Sequence, residues 1–180
     1  MKSFLFRAAF AVLCGLALTG CIDSSGPILT DAQPVLGPHL NLQLYSLREG
    51  HAHDPERASF AWNDKLYVRS GGGMKDVSDF TVHPFEAGDT IIQSSQLRHP
   101  QIAEYALMRK LAEGVYQVIA IGEDDADEPT RAANCKHPGG AACRIETREQ
   151  LFTFARATAA KRKIDGGLAI RLDDAPRQRR

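Results

Sequence analysis

The sequence predicts an α+β fold: a mostly antiparallel, curled β-sheet built of hairpins, covered by one C-terminal helix over about 147–163, with a short helix near 128–134. Three observations lead there. Leu40, Leu42 and Leu44 alternate with Asn41 and Gln43, the two-residue period of a half-buried strand. Aromatic and β-branched runs recur in pairs around short turn-forming stretches. One late segment carries a helix-start signal and an apolar stripe at helical spacing. A sheet with one apolar face needs a cover, and that Phe-rich stripe is the candidate.

Taken in order, Gly50–Pro55 breaks the first strand pattern. Ser59-Phe60-Ala61-Trp62 and Leu66-Tyr67-Val68-Arg69 then flank Asn63-Asp64 and make a hairpin. Ser70-Gly71-Gly72-Gly73 is a turn; no Gly-Lys-Ser/Thr follows to make it a phosphate cradle. Phe80–Phe85 and Thr90–Ser94 form a second hairpin around Glu86-Ala87-Gly88-Asp89. A third pair, Glu104–Arg109 and Val115–Ile121, turns at Glu113-Gly114, although Ile102–Leu111 also satisfies a helical period. No motif repeats between the pairs, so the order reads as a meander.

Beyond Ile121 the character changes. Acidic Glu123–Glu128 runs into Pro129, which favours a helix N-terminus. Pro138-Gly139-Gly140 keeps the Cys135–Cys143 stretch irregular. Thr147 can cap the main helix, with Gln150 three residues on. Leu151, Phe154, Ala155 and Thr158 share one face, Phe152 lies beside them, and Lys161-Arg162-Lys163 suits the C-terminal dipole. Gly166-Gly167 ends the helix, and Leu168–Leu172 is a closing strand.

The N-terminus carries an address. Behind Lys2 and Arg7 an uncharged run from Ala8 to Leu18 leads into Thr19, Gly20 and Cys21. That is the layout of a secretory signal, and the apolar run falls short of the roughly 20 residues that cross a bilayer. Leu18-Thr19-Gly20-Cys21 resembles the lipobox of bacterial lipoproteins, a match spanning residues 1–21. The resemblance implies cleavage after Gly20 and acylation of Cys21 on its sulfur and its new amine. The alternative is an ordinary secretory signal with a chance cysteine. Ile22 after the lipidated cysteine, where Asp commonly retains lipoproteins in the inner membrane, favours the outer membrane by analogy. The expected organisation is a removed leader (1–20), a lipidated cysteine with a flexible tether (21–38), a single domain (39–174) and a basic tail (175–180). Prolines and glycines between Ile22 and Pro38 suggest the tether.

Lys+Arg and Asp+Glu both number 22, and the leader removes two cations, so the mature domain is nearly neutral and gives no reason to expect nucleic acid as a partner. Hydrophobic residues make up 43% of the chain, enough for a real core. Cys14 leaves with the leader and Cys21 is consumed by lipid, which leaves Cys135 and Cys143 as a disulfide in an oxidising compartment. A metal knuckle with His137 is the rival, with too few ligands for zinc.

Across residues 59–172, the Trp62–Tyr67 hairpin, the second hairpin ending in Gln93 and the Thr147–Gln150 helix start resemble small uncharacterised bacterial envelope proteins. That resemblance implies no catalytic residue. His51-Ala52-His53-Asp54 is the metal candidate, because two imidazoles two residues apart on an extended segment can share an ion. The spacing is similar to that of metallo-β-lactamase-like enzymes, but their downstream Asp-His pair is missing, and a solvated loop is the competing reading. Glu123–Glu128 offers carboxylates to Ca²⁺ without the alternating spacing that wraps one ion. A Ser94 or Ser95, His83, Asp89 triad exists only on paper, with no Gly-x-Ser-x-Gly elbow.

The reading is thus a lipid-anchored, periplasm-facing envelope lipoprotein acting as a non-catalytic binding module without cofactor. Its partners are the membrane and an envelope protein met through 123–144. The alternatives are a small metal-dependent hydrolase using His51 and His53, or a carrier of a small apolar ligand should the sheet close around a cavity.

Overall fold

From His39 to Ala120 each strand pairs with the next, and a last strand returns to close the circle. The computed structural model describes residues 22–48, 51–72, 79–95, 100–136, 143–161 and 166–172, with the backbone alone at 48, 52–54 and 72. Its strands are β1 (Ile22–Ser24), β2 (His39–Arg48), β3 (His51–Trp62), β4 (Tyr67–Gly72), β5 (Phe80–Pro84), β6 (Thr90–Ser95), β7 (Ala103–Ala112), β8 (Val115–Ala120), β9 (Cys143–Arg144) and β10 (Gly166–Arg171). Two α-helices lie between β8 and β10: α1 (Glu128–Asn134) and α2 (Arg148–Lys161).

The curled sheet covered by one C-terminal helix, expected from the sequence, is corrected here. β2 through β8 form an antiparallel meander, and β10 pairs with β8 on one side and β2 on the other. The result is a closed eight-stranded up-and-down barrel with β1 and β9 added along β7. An open sheet would leave β2 and β8 as edges with a row of unsatisfied N–H and C=O groups, and β10 pairs both. The apolar inner face is therefore covered by the barrel's own far wall rather than by a helix.

Local chemistry explains the strands. β3 begins at His51, where the sequence suggests a break, and it tolerates Pro55 because the β2–β3 register slips between Leu44 and Ser46. Pro55 falls within that irregularity, so its missing N–H removes no ladder bond. The β3–β4 turn is held by the Asn63 side chain, whose Oδ1 accepts from Lys65 N at 3.2 Å and Leu66 N at 3.0 Å. Gly114, at φ 69°, supplies the left-handed residue of the β7–β8 turn. Among the described residues β4 and β5 share one ladder pair, Tyr67–Phe80.

Alternation along the strands feeds two separate cores. The inner one takes Leu40, Leu42, Leu44, Ala58, Phe60, Tyr67, Val82, Met108, Val118 and Ala169, one or more from nearly every barrel strand. The outer one lies on the far face of β6–β8, where Ile91, Tyr105, Leu107 and Ile121 meet Leu151, Phe154 and Ala155 of α2. The helix is capped as expected: Gln150 N donates to Thr147 Oγ1 at 3.2 Å, and Thr147 N to Gln150 Oε1 at 3.1 Å. Burying Leu151 and Phe154 is worth roughly 3–6 kcal/mol. A helix this short is marginal alone, so that packing holds it in place.

The flexible tether is a second correction. Residues 22–38 run as a strap over the outer wall, with Ile22, Leu29 and Leu36 buried. Their prolines and glycines signal an absence of helix and sheet, which the chain achieves by packing side chains and spending backbone groups on the barrel. Gln33 N, for example, donates to Val82 O at 3.1 Å. The basic tail lies outside the described residues.

Candidate functional site

The two ends of the barrel differ. At the end where β2 starts and β7 stops, the connections are tight turns and the strap crosses beneath. Leu36 N donates to the Tyr67 hydroxyl at 3.1 Å, and that hydroxyl donates to Gly37 O at 2.9 Å. Behind it Leu40, Phe60, Tyr67 and Val82 are all buried, and Tyr67 stacks on Phe80 at 5.1 Å. This end is plugged.

Towards the other end the inward positions carry small residues. Ala106 and Ala120 face each other across β7 and β8, Ala169 and Gly167 follow on β10, and Ser94 sits opposite Phe80. Eight strands enclose a space that either side chains fill or one small ligand occupies. Alanine, glycine and serine do not reach the axis. Phe80, Ile92, Ala106 and Tyr116 belong to the inner core yet stay partly in contact with solvent. In the outer core, Ile91, Leu107, Ile121, Leu151 and Phe154 are sealed at 0% exposure. Among the described residues each core has both kinds: Leu40, Tyr67 and Val82 are at 0% inside, and Ile28, Phe85 and Phe152 are half-buried outside. The connections at the open end (49–50, 73–78, 96–99 and 162–165) lie outside the described residues.

A buried polar network sits on the outer wall under the strap. Gln93 Oε1 accepts from Ile28 N at 3.0 Å and Leu29 N at 2.9 Å, while its Nε2 donates to Leu29 O at 3.1 Å. The Tyr105 hydroxyl meets Ser24 Oγ at 2.6 Å, and burial raises its pKa. His83, fully buried, lies between Asp31 (Nδ1 to Oδ1, 2.9 Å) and Thr81 (Nε2 to Oγ1, 2.7 Å). Burial pushes its imidazole below the ordinary range, with Asp31 pulling partly back. Burial also works to raise the Asp31 carboxyl, but His83 and Arg148, the latter at 3.0 Å, outweigh it and hold that group low.

Thr81, His83 and Asp31 stand in the order of a nucleophile, base and orienting acid. The arrangement does not work as one. The Thr81 hydroxyl also receives Gln93 Nε2 at 3.3 Å, and His83 has no exposed surface through which to meet a substrate. Its role is to fasten the strap.

The sequence-derived candidates fall as follows. Cys21 lies outside the described residues. His51 is exposed at the start of β3, and the side chains of His53 and Asp54 lie outside the described set. Cys135 and Cys143 are joined, S–S 2.00 Å, with Glu123 beside the bridge. The acidic run is spent on structure: Asp127 caps α1 by accepting from Thr130 N, Asp124 pairs with Arg131, and Asp125 accepts from Thr158 Oγ1 at 2.8 Å. Asp89 pairs with Arg109 at 3.1 Å rather than with His83. The Asp31–His83–Thr81 chain was missed, and closure of the sheet entered only as the condition of the ligand-carrier alternative. Both depend on residues brought together across strands and strap, which no short stretch of the sequence carries. No protein-family model, curated protein or solved structure matches the chain.

Proposed function

We propose that the protein is a non-catalytic binding barrel of the cell envelope, acylated at Cys21, that holds a small apolar ligand in the open half of its lumen. The observation that carries this reading is the closure of the sheet into an eight-stranded barrel whose inward positions on β7, β8 and β10 include Ala106, Ala120, Gly167 and Ala169. Apolar walls with few polar groups are what small-molecule sites use. The Leu18–Cys21 lipobox resemblance and the pair Cys135–Cys143 support an envelope address. Docking of a protein through 123–144 has less support, since Asp124, Asp125 and Asp127 are already engaged.

The test fills the lumen. Ala106→Phe and Ala120→Phe, introduced separately into a periplasmic chain carrying Cys21→Ser behind an ordinary secretory signal, are titrated with 1-anilinonaphthalene-8-sulfonate. The parent should bind one equivalent saturably, and each variant should lose at least about tenfold in affinity. Overpacking a filled core costs about 1–3 kcal/mol, whereas an open lumen accepts the ring, so the variants should melt within a few degrees of the parent. Unchanged dye binding overturns the reading, as does a collapse in stability. Acyl labelling that survives Cys21→Ser in the native precursor overturns the anchor.

A further inference from the structure

We infer that the Cys135–Cys143 bridge is a site of thiol–disulfide exchange with one accessible sulfur: a small thiol attacks Cys135 and never Cys143, and Glu123 favours thiols that carry a positive charge. The inference is independent of the lumen and of the lipid anchor. The two sulfurs sit in different surroundings. Cys143, on β9, is 0% exposed and belongs to the outer core with Ile22, Ile145 and Leu151. Cys135, which follows α1, is half-buried and packs on the margin of that core. The turn after β8 (Glu123–Asp125) brings a carboxylate to it, and Glu123 Oε2 lies 3.8 Å from Cys135 Sγ. That oxygen and the two sulfurs are within 4.8 Å of one another. The neighbouring chain adds more carboxylates than cations. Asp124 and Glu128 share Arg131, Asp127 caps α1, and Lys136 pairs with Glu146.

Exchange begins when a thiolate reaches one sulfur of the bridge. Cys143 presents no surface, so the folded chain offers Cys135 alone. A new S–S bond joins the small thiol to Cys135 Sγ, the old one breaks, and Cys143 Sγ leaves with the electron pair. Apolar surroundings disfavour a thiolate, so Cys143 takes up the proton that the attacking thiol released on ionising and remains a buried thiol. No further oxidant or reductant takes part. The charge on the attacker then sets the rate, because its path to Cys135 Sγ runs beside Glu123. A charged group about 7 Å from that carboxylate, at an effective dielectric constant of about 40–80, changes the rate roughly three- to tenfold per unit charge. A positive group speeds the attack and a negative group slows it.

The experiment uses the oxidised mature chain carrying Cys21→Ser and three thiols on the same two-carbon frame: 2-aminoethanethiol, 2-mercaptoethanol and 2-mercaptoethanesulfonate. Each is supplied with its own disulfide at matched thiolate concentration and low ionic strength. Samples are quenched in acid, digested with pepsin and mapped by mass. Mixed disulfide should appear on Cys135, fastest with the cationic thiol and slowest with the anionic one, each step being roughly three- to tenfold. Salt at about 1 M, where the Debye length is about 3 Å, should compress the ranking. Glu123→Gln should compress it at low salt, and Glu123→Lys should reverse it. The glutamine variant keeps the shape of the side chain, so it decides the matter should the lysine variant fail to fold. Mixed disulfide on Cys143, or a bridge that exchanges with no thiol until the chain unfolds, overturns the accessible sulfur. Equal rates for the three thiols, or a ranking unchanged in Glu123→Gln, overturn the part played by Glu123.

Discussion

Gln93→Leu separates a packed strap from a free tether. Leucine is close in size and keeps the contacts of a site where Gln93 is 6% exposed, so the change acts through hydrogen bonds. Three of them join Gln93 to the strap, at 2.9–3.1 Å to Ile28 N, Leu29 N and Leu29 O. Ile28 N keeps a partner in the Tyr105 hydroxyl at 3.3 Å, so the stranded groups are the amide and carbonyl of Leu29, itself 3% exposed. Lost hydrogen bonds cost about 1 kcal/mol each, and a buried group left unpaired about 1–3 kcal/mol. The expected loss is about 2–4 kcal/mol, a sizeable part of a total near 5–15 kcal/mol. For a domain this size that lowers Tm by roughly 5–15 °C. Thermal unfolding followed by circular dichroism gives the number, and hydrogen exchange at residues 28–33 gives its location. A Tm within about 2 °C of the parent, with amide protection at Leu29 unchanged, would refute the strap.

Gly166→Ala should destabilise by at least about 2 kcal/mol, because its Cβ would lie 2.4 Å from Val118 O at φ 118°. Gly167→Ala, with ordinary contacts from 3.6 Å, should cost less than about 1 kcal/mol, and equal effects would refute the close-approach argument. Replacing Cys135 and Cys143 together by Ala should cost roughly 2–3 kcal/mol in chemical denaturation, and two alkylatable thiols in the natively purified protein would contradict the bridge. His83 has a folded-state pKa below its unfolded value near 6.5, so the unfolded chain takes up a proton first as pH falls. Stability should thus be complete above about pH 6.5 and decline below it, by at most about 1.4 kcal/mol per pH unit, until the folded pKa is reached. His83→Asn should flatten that slope; an unchanged slope would assign it elsewhere.

Local signals carried most of the element map. The Asn63 turn, the Gly114 turn, the Thr147–Gln150 cap and the pairing of the two cysteines were all readable, because each depends on residues within a few positions of one another. Pro55 misled the β3 boundary, since a proline is tolerated where the register slips, and only the partner strand reveals the slip. The strap misled too. Its prolines and glycines announce irregular backbone, which is equally true of a tether and of a chain pinned by Gln93, Tyr105 and His83.

The same division runs through the site. By itself the sequence determined the near-neutral charge, the strand periods and the capped amphipathic helix, all legible without tertiary contacts. Only the tertiary structure decided that β10 pairs with both β8 and β2, because a strand's hydrogen-bonding edges carry no information about which distant edge they will meet. That one decision turns an apolar sheet face into a lumen. It sets Ala106, Ala120 and Ala169 on the inward face of one closed barrel.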